Sequence, residues 1–132
     1  MLPLLLAAAK AASPDVDDSR NFWLGCVGIR QDGVRVYSKN GASRVSDTIE
    51  NFQPLPYAHA EARLLRKLGK GGIVFVARVA KKDYALTMAR PCGKCIQLLK
   101  AADVERVYYT INDFQYGIFF PQTNKDIIKG DV

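Results

Sequence analysis

The chain has 132 residues, 48% of them hydrophobic and 24% charged, with a formal net charge of +6. This mixture excludes a disordered or fibrous chain and suits one globular domain, residues 1–132, large enough to bury a core without staples. Three cysteines, an odd count, argue against a disulfide framework and fit a reducing compartment with a metal or redox role.

Taken in order, residues 4–12 read as a helix with an apolar side from Leu4–Leu6 and Ala8, Ala9 and Ala12, capping one end of the fold. Met1–Ala9 lacks the basic n-region of a signal peptide, and no apolar run approaches the ~20 residues that span a bilayer. A cytoplasmic protein with no membrane partner is expected. Ser13–Pro14–Asp15 breaks the helix, and the polar stretch to residue 20 is a loop. Phe22–Arg30 reads as a buried strand, Gln31–Asp32–Gly33 as a hairpin turn and Val34–Tyr37 as its partner strand. A polar loop of about sixteen residues follows, from Ala42 to Tyr57, of a length that is usually functional.

Ala58–Leu68 is a helix by its alanines and by Leu64, Leu65 and Leu68, with Gly69 as its C-cap. Ile73–Ala80 is a continuous apolar run of the kind found in central strands. Tyr84–Arg90 is at most a short extended segment. Pro91 suits the first turn of a helix running to about Ala102, with Ile96, Leu99 and Ala102 facing inward. Val104–Ile111 is a β-branched strand, and Gly117–Phe120 a last strand before a polar tail, residues 121–132. The few residues joining those two strands are too short for a parallel crossover, so they pair antiparallel. The expected architecture is α/β, a mixed sheet covered by helices on both faces.

Charge is unevenly spread. Residues 61–110 carry eleven Lys/Arg against four Asp/Glu, while the remainder sums to −1. This excess suits a phosphate-bearing or polynucleotide partner. The alternative is that Arg66, Lys67 and Lys70 complement a helix C-terminus, and no four consecutive basic residues occur.

The chemistry concentrates in two short motifs, His59–Ala60–Glu61 and Pro91–Cys92–Gly93–Lys94–Cys95. Two cysteines three apart at a helix start put both sulfurs on one face of its first turn, a pincer for zinc. His59, the chain's single histidine, is the third ligand, leaving the fourth tetrahedral position open to water, as catalytic zinc requires. Glu61 is placed to move that water's protons. Cys26 could instead close a structural Cys₃His site, although its place in Leu24–Gly–Cys–Val–Gly–Ile29 fits a small buried thiol. A redox Cys-x-x-Cys would have no need of His-x-Glu.

Together the motifs resemble the zinc-dependent cytidine/deoxycytidylate deaminase superfamily over roughly residues 20–120. The resemblance implies a three-layer α/β/α fold with a five-stranded mixed sheet, antiparallel first and last hairpins, and one Zn²⁺ per subunit. It further implies hydrolytic deamination of cytosine to uracil in a free nucleoside or nucleotide, with a role in pyrimidine salvage and a homo-oligomeric assembly. Asn40 matches the asparagine that contacts base or sugar, though a turn asparagine before glycine is also ordinary. The N–H of Ala60 matches the donor to the pyrimidine carbonyl, and the carbonyl of Arg90 the acceptor from the exocyclic amine. Arg44 is either a grip for a 5′-phosphate or a surface arginine.

Cys92–Gly–Lys–Cys–Ile–Gln97 looks most like the free cytidine deaminases. Their short form carries a third cysteine where this chain has His59 and an arginine where it has Ile96. The structural zinc of some deoxycytidylate deaminases is excluded, because residues 42–57 contain no cysteine or histidine. The short final hairpin resembles the free-nucleoside branch, since polynucleotide deaminases generally reach a parallel fifth strand through a helix. A polynucleotide deaminase, acting on tRNA adenosine or single-stranded DNA cytosine, is the alternative; Phe22, Trp23, Tyr57 and Tyr109 are the aromatics that could stack on its bases. A non-catalytic zinc module is the third reading.

Overall fold

A computed structural model of the chain describes residues 3–12, 22–39, 60–80 and 82–130. Its elements are α1 (Pro3–Ala11), β1 (Phe22–Ile29), β2 (Arg35–Lys39), α2 (Ala60–Leu68), β3 (Ile73–Ala80), β4 (Leu86–Thr87), α3 (Gly93–Ala101), β5 (Arg106–Thr110), β6 (Gln115–Phe120) and β7 (Lys125–Gly130). The strands form one mixed sheet in the order β2-β1-β3-β5-β6-β7, with β4 paired to β3. Among the described residues only β3 and β5 run parallel, in register from Ile73↔Arg106 to Val76↔Tyr109. The neighbouring pairs β1–β2, β1–β3, β5–β6 and β6–β7 are antiparallel.

The alternation of side chains along β1 and β3 assigns the layers. Val27, Phe75 and Ala77 point to one face, where Leu5 and Ala8 of α1 cover them. α1 therefore lies across a face of the sheet, not at an end. It comes in close because Gly25 has no side chain: a Cβ there would stand 2.5 Å from the Ala12 nitrogen and nearer still to the Ala8 carbonyl oxygen. On the opposite face Cys26, Val74, Val76, Val107, Tyr109 and Phe119 pack with Leu64 and Leu68 of α2 and Leu99 of α3. Leu64 and Leu99 are fully buried, and each such leucine stabilises the fold by roughly 1.5–3 kcal/mol.

Local chemistry sets most of the boundaries. In the β1–β2 hairpin Gly33 takes φ 89°, and Asp32 Oδ1 accepts the Val34 N–H at 3.1 Å. Gly69, at φ 76°, closes α2 by donating to Leu65 O at 3.2 Å. The β5–β6 turn is held by Asn112, whose Oδ1 accepts from the Phe114 and Gln115 N–H groups at 2.7 and 2.8 Å. The antiparallel pairing expected of these two strands is present.

Among the described residues the sheet has seven strands where the sequence suggested five. One addition is β4, two residues long. The other is β7, which occupies half of the stretch read as a polar tail. Every residue of β7 is exposed, and its two isoleucines, Ile127 and Ile128, are adjacent and give no alternating pattern. Its hydrogen-bond ladder to β6 holds it at the sheet edge, after a turn in which Asn124 takes φ 56°. Among the described residues no helix is long and apolar enough to cross a membrane.

Candidate active site

Two similar units place the site. α2 reaches β3 through residues 69–72, and α3 reaches β5 through residues 102–105. Each helix has nine residues, about 13 Å at 1.5 Å per residue. Their exits are tied together: Gly71 N–H donates to Ala102 O at 2.7 Å and Glu105 N–H to Gly72 O at 2.9 Å. Because β3 and β5 are parallel, the two helices run back along one face side by side. They begin at the same level, beside the C-terminal ends of those strands. This is where open α/β sheets put their ligands.

At the start of α3, Cys92 is the N-cap, in extended conformation with φ −73° and ψ 169°. Its carbonyl accepts the first helical bond, from Ile96 N–H at 2.8 Å, which makes Cys95 the third helical residue. Pro91, expected in the first turn, precedes the cap instead, since the cap residue is itself extended. Cys92 is exposed and Cys95 buried. None of the three cysteines is in a disulfide. A pair of thiols on one helical turn, where unpaired N–H groups and the positive dipole end stabilise anionic ligands, suits zinc as a donor set.

Ala60 and Glu61 open α2, the side chain of Glu61 being outside the described residues. His59, Asn40 and Arg44 also lie outside them, as does the loop of residues 42–57. Among the described residues no three of His, Cys, Asp or Glu gather as a metal cluster. Cys26 sits within the leucine-lined core. Of the aromatics considered for base stacking, Trp23 is 4% exposed and Tyr109 2% exposed, so neither presents a ring to a ligand. Phe22 belongs to β1, and Tyr57 lies outside the described residues.

The segment leading into Cys92 is anchored twice. Ala89 N–H donates to Thr110 O at 2.8 Å. The Thr110 hydroxyl, fully buried, donates to Thr87 O at 2.7 Å and accepts from Arg78 N–H at 3.2 Å. Thr110 thus stitches β3, β4 and β5 where β3 exchanges β5 for β4 as its neighbour.

Arg90 forms the second anchor. Its Nε and Nη2 reach the Asp126 carboxylate at 3.0–3.3 Å, and its guanidinium lies 4.8 Å over the Phe119 ring. Tyr109 Oη donates to Asp126 Oδ1 at 2.6 Å. Burial raises the pKa of Asp126, but the hydrogen bonds from Arg90 and Tyr109 outweigh it and leave the carboxyl below its ordinary value. Burial first, then Asp126, pushes the Tyr109 phenol up to about 12. Sequence reasoning missed Thr110, Tyr109 and Asp126 as parts of the site's surroundings. The one available cue was Gly117, a lone glycine inside a strand, which marks a close approach.

The sequence matches the cytidine and deoxycytidylate deaminase zinc-binding region over residues 3–111. The chain belongs to this family. It is a zinc-dependent hydrolase of the cytidine/deoxycytidylate deaminase type, and its cofactor is Zn²⁺. The fold is similar to that of cytidine deaminase from Mycobacterium leprae, with TM-score 0.56 and 22% identity over 91% of this chain and 92% of that one. It is also similar to cytidine deaminase from Mycobacterium tuberculosis, with TM-score 0.50 and 24% identity over 83% of this chain and 86% of that one. No curated protein matches the chain.

Proposed function

We propose that the protein deaminates the cytosine of a free cytidine or deoxycytidine nucleoside or nucleotide to uracil, with His59, Cys92 and Cys95 holding the zinc. Its chief support is the common level at which α2 and α3 begin, which sets the start of α2, at Ala60, beside the Cys92–Cys95 turn on one face of the sheet. Zinc, when bound, supplies the Lewis acidity that makes water nucleophilic near neutral pH. Glu61 carries the first proton of the attacking water to ring N3, then carries the second, from the hydroxyl added at C4, to the departing amine. Oxygen is added at C4, the C4–N bond breaks, and ammonia leaves.

Asn40, the N–H of Ala60 and the carbonyl of Arg90 are the proposed contacts to the pyrimidine nucleoside, with Arg44 available to a 5′-phosphate. We assign the whole chain to one domain acting as a cytoplasmic homo-oligomer in pyrimidine salvage. The antiparallel β5–β6 hairpin favours the free-nucleoside branch over the polynucleotide one. The burial of Trp23 and Tyr109 removes two of the four aromatics on which nucleic-acid stacking would rest.

The test is a substrate panel. Zinc-replete protein is incubated with cytidine, deoxycytidine and dCMP while the ultraviolet absorbance of the cytosine ring is followed. Turnover of at least one is expected. Silence on all three, with conversion of a single-stranded oligonucleotide or of tRNA, would overturn the reading.

A further inference from the structure

We infer that Asp126, on the last strand, is a positioning residue for the zinc-ligand turn: it holds the Arg90 guanidinium and so fixes the Arg90–Pro91–Cys92 segment. This rests on the proposed role of Cys92 and Cys95 as ligands. Arg90 precedes Cys92 by two residues, and the intervening Pro91 is buried with φ locked by its ring. A displacement of Arg90 is therefore passed to the N-cap with little slack.

An ordinary surface ion pair would not do this, because its side chains exchange partners with water and contribute little. This pair is built differently. Arg90 uses two nitrogens on one carboxylate, the planar geometry that gives arginine its directional hold. The guanidinium also rests on Phe119. The carboxylate is steadied from the other side by Tyr109, itself 2% exposed and reaching from β5 across β6. In the β6–β7 ladder Asp126 stands opposite Phe119, so the strand register aims it. With Ala89 tied to Thr110, the irregular stretch before Cys92 is gripped on both sides. Loss of an outer partner that orients a metal ligand typically costs 10–100-fold in affinity or activity. Asp126 acts through Arg90, which puts it at the lower end of that range.

The experiment follows zinc release from the full-length zinc-loaded protein into excess chelator, beside the melting temperature of the zinc-stripped protein. Asp126→Asn should release zinc about 10-fold faster, and Arg90→Met combined with it should add nothing beyond Arg90→Met alone. Asp103→Asn is the control: it breaks another surface pair, Lys70–Asp103 at 3.3 Å, beyond the far end of α3, and should leave release unchanged. A release rate for Asp126→Asn within twofold of wild type overturns the clamp. So does equal acceleration by Asp103→Asn, or a faster release fully matched by a fall in the stability of the zinc-stripped protein. Should Asp126→Asn not fold, Tyr109→Phe decides: about threefold faster release supports the clamp and an unchanged rate overturns it. Wild-type protein that retains no zinc overturns the ligand assignment as well, whereas wild type that retains it beside an unaffected Asp126→Asn overturns the clamp alone.

Discussion

Gly117→Ala offers a sharp test of how the Tyr109–Asp126 contact is made. Tyr109 on β5 faces Gly117 on β6 and passes over it to reach Asp126 on β7. A Cβ at position 117 would stand 2.6 Å from Tyr109 Cε2 and closer still to Cζ and the hydroxyl, so the ring must move. Overpacking of this kind costs about 1–3 kcal/mol. Displacement of the ring also breaks a hydrogen bond to a charged group, worth about 1.5–3 kcal/mol. Both effects follow from one movement, so they do not add in full. Alanine in place of glycine returns roughly 0.5–1 kcal/mol of backbone entropy. The net expectation is a loss of about 2–3 kcal/mol, read by urea denaturation of the zinc-loaded protein. In a Tyr109→Leu background the same substitution should cost under about 1 kcal/mol, because the atoms it strikes are gone. A penalty undiminished in that background, or a loss below about 0.5 kcal/mol in the wild type, would refute the account.

The other predictions bear on the site and the layers. Glu61→Ala should keep its zinc, measured by metal analysis, yet lose at least 10²–10⁴-fold in turnover of whichever pyrimidine proves to be the substrate. Cys26→Ala should bind zinc with unchanged stoichiometry while Cys95→Ser does not, because Cys26 belongs to the core cluster. Gly25→Ala should lift α1 from β1 and cost about 1–3 kcal/mol of stability, with zinc content unaffected because α1 covers the opposite face. The Tyr109 phenol, raised to about 12 from its ordinary ~10, favours the fold fully below pH 10. That contribution is lost as pH rises from about 10 to 12, and Tyr109→Phe should flatten stability over that interval.

The cysteine turn and the helices beside it were legible because their signals are local. Cys92 and Cys95 lie on one turn, and Gly69 and the leucines of α2 mark a helix by spacing alone. The β5–β6 pairing followed from the shortness of its turn. β7 was not legible because burial, which leaves an apolar pattern, does not hold it: all six residues are exposed and the ladder supplies the stability. Asp126 was hidden for a related reason. It lies 36 residues from Arg90, and only the register of three strands brings the two together.

That register also supplies the support on which the approach to α3 depends. The helix exits are alike, each four residues from a parallel central strand and cross-tied by backbone hydrogen bonds. On the approach to α3, between Thr87 and Gly93, the chain belongs to no strand or helix, so no ladder fixes it. Its polar backbone must be paired elsewhere, and Thr110 receives it at Ala89 while Asp126 secures the Arg90 side chain. A final strand that buries almost nothing thereby acquires a reason to be ordered: it presents one carboxylate, at one register position, to the residue two before Cys92. Strand β7 and the cysteine turn should therefore lose order together when Asp126 is neutralised, and amide exchange along residues 125–130 and 89–96 in Asp126→Asn is the measurement that would show them uncoupled.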